Sequence, residues 1–348
     1  MATQLDKIFR TAVQYKASDV FITSGCKPIL RINGDLVAIE EHAIITKKTA
    51  ESYLLEIMTD EQKQTFAKTL DIDFALDIED IARFRANVFV QKNGIAAVFR
   101  VISSTVYSLD ELGHPQQLKK ILNYKNGLVI VTGPAGSGKS TTMAAVINEF
   151  NEKHSKHILT VEDPIEFIFE NKKSIIDQRE IGTHTHSFAK ALKAAMRENA
   201  DVIMIGEMRN LETIQMALTA AETGHLVIAT LHTSGAAKSV DRIIDVFPSD
   251  QQNQIRSMLS EALKAVIWQS LIKTKDKKGR VAALEIMFVN NGISNLIRKG
   301  QTHQIISMLE TGMNDGMQTM KKAVLDLLQA GIITEEDAIA NIPPEFEA

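Results

Sequence analysis

The sequence predicts an α/β fold: a parallel-sheet core, a smaller α+β domain before it and a helical region after it. Three observations carry that expectation. In the middle of the chain, short apolar runs at residues 128–131, 157–161, 201–205 and 225–230 alternate with amphipathic stretches, the pattern of strands joined by crossover helices. In the first hundred residues, strand-like alternation surrounds Asn33-Gly34 and Asn93-Gly94, pairs that supply the positive φ angles of tight turns. Toward the end, apolar residues recur three and four apart, as on one face of a helix.

Taken in order, Leu5, Ile8, Phe9 and Val13 have helical spacing, and Ser18-Asp19-Val20-Phe21-Ile22 follows as a short strand. Residues 29–32 and 36–39 flank Asn33-Gly34-Asp35 as a hairpin. Tyr53, Leu54, Ile57 and Met58 mark a helix, and Thr59 with Gln62 suits a capping box for the next one. Residues 83–102 form a second hairpin. With Asn93-Gly94 as its turn, Lys92 lies opposite Ile95, Asn87 opposite Arg100 and Arg85 opposite Ile102. Phe84, Ala86, Val88, Ala97, Phe99 and Val101 then share one face, and Arg83, Arg85 and Arg100 the other. Surface arginines on a strand are ordinarily just solvated; facing a nucleotide held by a neighbouring subunit, they would act as arginine fingers. This segment by itself does not choose between the two. Residues 103–115 show no sustained period and are expected to link domains, with Ser108 and Glu111 capping a short helix.

The most informative stretch is Gly133-Pro134-Ala135-Gly136-Ser137-Gly138-Lys139-Ser140, which joins the apolar run 128–131 to a helix bearing Met143, Val146, Ile147 and Phe150. Glycines let the backbone wrap so that successive N–H groups face phosphate oxygens at a helix N-terminus. Lys139 then reaches the β- and γ-phosphates and the Ser140 hydroxyl holds Mg²⁺. A purine nucleoside triphosphate is the expected ligand, bound by these eight residues and the adjoining Thr141.

Ligands of parallel sheets gather beyond the carboxyl ends of the strands. The helices between these strands carry Phe188, Leu192, Ala195 and Met196, and Leu211, Ile214, Leu218 and Ala221. One strand ends in Glu162-Asp163-Pro164-Ile165-Glu166 and another in Gly206-Glu207-Met208-Arg209. The second has the form of a Walker B segment with glycine where a Mg²⁺-linked aspartate is usual. Glu162 and Asp163 are therefore expected to manage the metal, through its bound water, and Glu207 to orient or deprotonate the attacking water. His232 follows a strand's carboxyl end, where it is placed to sense a γ-phosphate or an adjoining subunit; His225 begins that strand and looks structural. His184-Thr185-His186 reads as a polar loop.

Composition narrows the function classes. The chain has 348 residues, enough for two or three domains with proper cores. A net charge of -4 and 5% aromatics argue against a dedicated nucleic-acid binder. The single cysteine, Cys26, excludes an internal disulfide and a multi-cysteine zinc site. No apolar run approaches 18 residues, so neither membrane insertion nor export is indicated, and a cytoplasmic protein is expected. In the last region, Ile255, Met258, Leu259, Ala262, Leu263, Val266 and Ile267 form one long helical stripe, and Met317, Met320, Val324, Leu327 and Leu328 another, both read as core. Residues 273–280 are a basic surface loop, and the proline-bearing tail to Ala348 is expected to fray.

Together, the phosphate loop, Val161-Glu162-Asp163-Pro164-Ile165-Glu166-Phe167, Gln178-Arg179-Glu180, Gly206-Glu207-Met208-Arg209, Ala220-Ala221-Glu222-Thr223-Gly224-His225, Thr230-Leu231-His232-Thr233 and Asp241-Arg242-Ile243-Ile244-Asp245-Val246-Phe247-Pro248 resemble the secretion-ATPase superfamily, and within it the type IV pilus retraction ATPases. The likeness runs from Ser18-Asp19 through Gly316-Met317-Gln318-Thr319-Met320. It implies a PAS-like domain over residues 1–104, a linker at 105–115, a RecA-like P-loop ATPase core over 116–272 and a helical region over 273–348. It implies an acidic box from Glu162 to Glu166, a Walker B glutamate at Glu207 and a histidine box at His225 and His232. It further implies that Arg85 and Arg100 reach a neighbour's nucleotide. The implied catalytic set is Glu207, Glu162, Glu166, His232, Arg85 and Arg100, with ATP and Mg²⁺. The implied assembly is a homohexamer at the cytoplasmic face of the inner membrane, acting on a PilC-like inner-membrane pilus platform protein and alongside other pilus ATPases. One departure stands out: the retraction group has Ala-Ile-Arg-Asn-Leu-Ile-Arg where this chain has Gly292-Ile293-Ser294-Asn295-Leu296-Ile297-Arg298. Pilus-assembly and secretion ATPases often carry a four-cysteine metal site and a longer amino-terminal extension, and neither is seen here. An accessory retraction paralogue stands as an alternative, and a nucleic-acid translocase is disfavoured by the charge and aromatic content.

Overall fold

The alternation in the first hundred residues becomes a six-stranded antiparallel sheet. The computed structural model describes residues 4–343 apart from 33, 103, 104 and 278, in two units: Met1–Thr105 with Glu166–Ile168, and Val106–Ile165 with Phe169–Ala348. Asn33 of the first expected turn, Ser103 and Ser104 of the expected linker, Lys278 of the basic loop and tail residues 344–348 lie outside the described residues.

In the first unit the strands are β1 (Asp19–Ile22), β2 (Ile29–Ile32), β3 (Asp35–Ala38), β4 (Asp71–Ile78), β5 (Ala82–Gln91) and β6 (Gly94–Ile102), in the order β3-β2-β1-β6-β5-β4. Phe84, Ala86, Val88, Ala97 and Phe99 are buried on one face. There Phe9, from the helix Gln4–Gln14, lies 4.4 Å from the Phe84 ring and 4.9 Å, edge-on, from that of Phe99. The capping box forms: Gln62 N–H donates to Thr59 Oγ1 and Thr59 N–H to Gln62 Oε1.

The register of β5 against β6 differs from the expected one by two residues. Gln91 pairs with Gly94, Asn87 with Val98, Arg85 with Arg100 and Arg83 with Ile102. A turn centred on Asn93-Gly94 needs positive φ at both residues, but only Gly94, at 106°, has it. The two loop residues are therefore Lys92 and Asn93, and glycine opens the returning strand. Because the slip is even, every side chain keeps its face.

The second unit is built on β7 (Gly127–Thr132), β8 (His157–Glu162), β9 (Ile175–Glu180), β10 (Val202–Ile205), β11 (Leu226–Leu231), β12 (Leu263–Lys273) and β13 (Arg280–Phe288), ordered β13-β12-β7-β11-β10-β8-β9. All pair in parallel except β13, which runs antiparallel to β12 at the edge. Every residue of β7, β10 and β11 is buried, which is why these strands read as unbroken apolar runs rather than as alternation.

Two expected helices are corrected here. The stripe from Ile255 to Ile267 is not one helix: a helix spans Gln252–Ala262, and Leu263 begins β12. A strand buried on both faces shows no period of two, so spacing alone cannot separate it from a buried helix. Ser108 and Glu111 do bond reciprocally, but they close a turn, and the 3₁₀ helix Gln116–Asn123 that comes next starts after Pro115 without a side-chain cap. The boundary expected at 272/273 falls within β12, and the sheet continues past it through β13. Met320 and Val324 pack with Trp268 of β12 in a separate small core.

Phe9→Ala would empty the centre of the first unit's aromatic cluster. The expected loss is about 3–5 kcal/mol, measured as a lower denaturant midpoint for that unit's unfolding; a shift worth less than about 1 kcal/mol would mean that the cluster repacks.

Candidate active site

Strand β7 ends at Thr132, and the chain turns through Gly133, Gly136 and Gly138, with φ of 146°, 74° and 85°, before the helix Lys139–Lys153 begins. Gly138 occupies the N-cap position in a left-handed conformation and no side-chain bond caps this helix start, the helix end at which the backbone dipole favours an anion. Lys139 is nearly buried. Its ammonium donates to the carbonyls of Gly133 and Pro134 at 2.9 Å each and lies 3.4 Å from His232 Nδ1.

Parallel pairing brings the ends of β7, β11, β10 and β8 to one edge. Side-chain bonds tie these ends together. The Thr132 hydroxyl accepts the Thr233 N–H at 2.9 Å, and the Thr230 hydroxyl donates to the Gly206 carbonyl. Glu207 lies just beyond β10, where Oε1 is 3.2 Å from His232 Nε2 and Oε2 is 2.8 Å from Arg209 Nη2. Partial burial pushes the Glu207 carboxyl up, but Arg209 and then His232 outweigh it and hold the carboxyl below its ordinary value. Glu207 in turn, with the charge of Asp163 adding, raises the pKa of Arg209, so Asp163 belongs to the same electrostatic field.

Glu162 is buried at the end of β8, its Oε1 accepting from the Thr160 hydroxyl at 2.7 Å and from Gln178 Nε2 at 3.3 Å. Gly206 N–H donates to Val161 O at 2.8 Å, and a Cβ at 206 would stand 3.4 Å from both Val161 O and Glu162 Cα. The missing side chain of the Walker B-like segment is thus next to the carboxylate expected to replace it.

Lys139, Ser140, Thr141, Glu162, Asp163, Glu207 and His232 all lie in the second unit, whereas Arg85, Arg100 and Glu166 belong to the first. Arg85 and Arg100 are direct cross-strand partners. Arg100 Nε is 3.2 Å from Asp19 Oδ1 and Arg85 Nε 3.7 Å from Asp73 Oδ1, with side chains 68% and 46% exposed. His225 sits at the opposite end of β11 from His232, its Nδ1 3.1 Å from the Ala220 carbonyl. His184 Nδ1 accepts the Glu180 N–H at 3.0 Å. Ser294, at the departure from the retraction pattern, donates to Ser260 O at 2.7 Å.

Sequence reasoning missed Gln269 of β12. It is 2% exposed and donates from Nε2 to the Ser137 carbonyl of the loop at 2.6 Å. Its signal is a lone amide within the apolar stretch 265–272, which spacing alone does not identify as a buried strand. Arg209 carries no legible role in the sequence, because its partner Glu207 is set by how the chain leaves β10.

Residues 1–340 match the family described as Type II/IV secretion system protein. The chain belongs to that family. Among its members it is 48% identical to the twitching motility protein of Neisseria gonorrhoeae, over 97% of this chain and 90% of that one. It is 47% identical to the type IV pilus retraction ATPase PilT of Pseudomonas aeruginosa, over 95% and 96%. The crystal structure of the pilus retraction motor PilT with bound ADP superposes with a TM-score of 0.92 at 41% identity, covering 99% of this chain and 98% of that one. Family membership therefore extends over both units.

If Arg209 is what keeps Glu207 ionised, Arg209→Ala moves the carboxyl's titration to higher pH, followed by the ¹³C shift of the Glu207 carboxyl. An unchanged titration would rule out that electrostatic assignment.

Proposed function

We propose that this chain is an ATP-hydrolysing motor for type IV pilus retraction and the twitching motility it supports. The observation that carries the proposal is the chain of contacts from Lys139 through His232 to Glu207, joining the phosphate loop to a carboxylate held ionised at a neighbouring strand end. The near-full-length likeness to PilT supports the direction of work.

In the proposed reaction the loop N–H groups and Lys139 bind the ATP phosphates. Glu207 orients the attacking water and takes its proton as oxygen bonds to the γ-phosphorus, and the bond to ADP breaks. His232 has a defined part. Its Nε2–H faces the Glu207 carboxylate and its Nδ1 lone pair faces the Lys139 ammonium, so movement of Lys139 toward a γ-phosphate is felt at Glu207. Mg²⁺, when bound, supplies charge neutralisation between the phosphates. The donor set suits that ion: the Ser140 hydroxyl opens the helix, Glu162 ends β8 and Asp163 follows it, while no three-ligand His, Cys, Asp or Glu cluster occurs among the described residues. Magnesium needs only one or two protein ligands besides phosphates and water.

Arg85 and Arg100 complete a neighbouring subunit's site in a homohexamer, and Glu166 belongs to the acidic box that serves it. Loss of the γ-phosphate releases those arginines and lets the arginine-bearing domain, residues 1–104, swing on the 105–115 linker. No helix among the described residues is long and apolar enough to cross a membrane. In this reading, work on the pilus passes through an inner-membrane platform protein at the cytoplasmic face.

Lys139→Ala should abolish hydrolysis, and Glu207→Gln should bind ATP yet lose about 10²–10⁴-fold in turnover, both read by phosphate release. Turnover of Lys139→Ala at the parental rate would refute the site. Deletion of the gene should leave abundant pili and no surface motility; bald cells would point to assembly.

A further inference from the structure

We propose that Gln269, oriented by Thr142 and His114, is the positioning residue that sets the phosphate loop for nucleotide, an inference that rests on the ATP-binding reading above. Gln269 comes from β12, the parallel neighbour of β7. Both its backbone and its side chain press on the loop. A Cβ at Gly133 would stand 2.3 Å from Gln269 O, and one at Gly138 would stand 2.8 Å from Gln269 Nε2. Two loop glycines are thus required by this one residue as well as by their own φ angles.

The hydrogen bonds have only one consistent direction. A carbonyl can only accept, so the 2.6 Å contact with Ser137 O must come from the amide nitrogen of Gln269. Oε1 then faces Thr142, whose hydroxyl donates to it at 2.7 Å. Thr142 has spent its single hydrogen, so it accepts from His114 Nε2 at 2.9 Å. His114 is consequently the Nε2–H tautomer, and its Nδ1 is buried with no partner among the described residues. Burial pushes the imidazole down to about 4, so it stays neutral and the relay keeps its polarity at physiological pH. All three side chains are buried, where a misdirected amide has no water to repair it.

The consequence for nucleotide follows from peptide geometry. In a trans peptide the C=O and the next N–H point in opposite directions. Pinning Ser137 O toward Gln269 turns the Gly138 N–H away from β12, as one of the donors that cradle phosphate. The relay begins in residues 106–115, the segment that follows the first unit in sequence, where His114 N–H donates to Leu109 O at 3.0 Å. A shift in that segment therefore has a hydrogen-bonded route to the loop.

The test is equilibrium titration with a fluorescent ADP analogue together with steady-state ATPase kinetics, on four full-length proteins. Gln269→Glu keeps Oε1 and shape but loses the donor, Thr142→Val keeps shape but loses the hydroxyl, and Thr142→Ser keeps the hydroxyl. We expect the first two to raise nucleotide Kd and KM at least about tenfold with a smaller change in kcat, and Thr142→Ser to stay within about twofold of wild type. Wild-type affinity in both Gln269→Glu and Thr142→Val would overturn the inference, as would equal losses in Thr142→Ser and Thr142→Val, which would indicate packing alone. Should Gln269→Glu fail to fold, the two Thr142 variants still decide. Failure of the wild-type chain itself to bind the analogue would overturn the ATP-binding reading and this inference with it, an outcome distinct from the others.

Discussion

Parallel pairing is the constraint on which the second unit depends. Because β7, β8, β10 and β11 run the same way, the four segments that leave them emerge at one edge, although Lys139, Glu162, Glu207 and His232 are spread over 94 positions of numbering from 139 to 232. Parallel strands need crossover connections, and the helix that starts at Lys139 is one of them. The helix that supplies the anion-binding end is thus the same element that makes the sheet parallel. Threonine contacts between neighbouring strand ends hold that edge in register, through Thr132 with Thr233 and Thr230 with Gly206.

Charge at this edge is arranged by proximity more than by burial. Glu207 is only partly buried, and desolvation alone would favour its neutral form; the adjacent guanidinium and imidazole reverse that preference. Gly206 contributes by what it lacks, since its bare Cα stands against the backbone of Val161 and Glu162. Deeper in, the same unit uses neutral groups. Gln269, Thr142 and His114 hold the loop through directed hydrogen bonds between uncharged side chains.

How far the sequence could be read varied with the kind of signal. The strand-loop-helix around Lys139 was legible because glycine spacing, the apolar run and the following helix all express one local geometry. The face assignment of β5 and β6 survived a wrong register because side chains alternate with period two and the slip was even. The turn itself misled, since Asn93-Gly94 can serve either at the centre of a turn or at its exit. Strand β12 was misread because a fully buried strand carries no periodicity to distinguish it from a buried helix. Ser108 and Glu111 make the expected bonds without starting a helix of their own, because a capping box satisfies donors but does not supply the packing that sustains further turns.

The sequence by itself determined the fold class, the phosphate loop, the acidic and histidine strand ends and the resemblance to the secretion ATPases. These are properties of contiguous residues, in which local conformation and residue chemistry are specified together. Only the tertiary structure decided that Arg209 and His232 jointly hold Glu207 ionised, and that Gln269, 130 positions beyond Lys139 in numbering, grips the loop. Those contacts depend on which strands become neighbours and how each chain segment leaves its strand. Burial against the rest of the sheet settles both, and no short stretch of sequence encodes it.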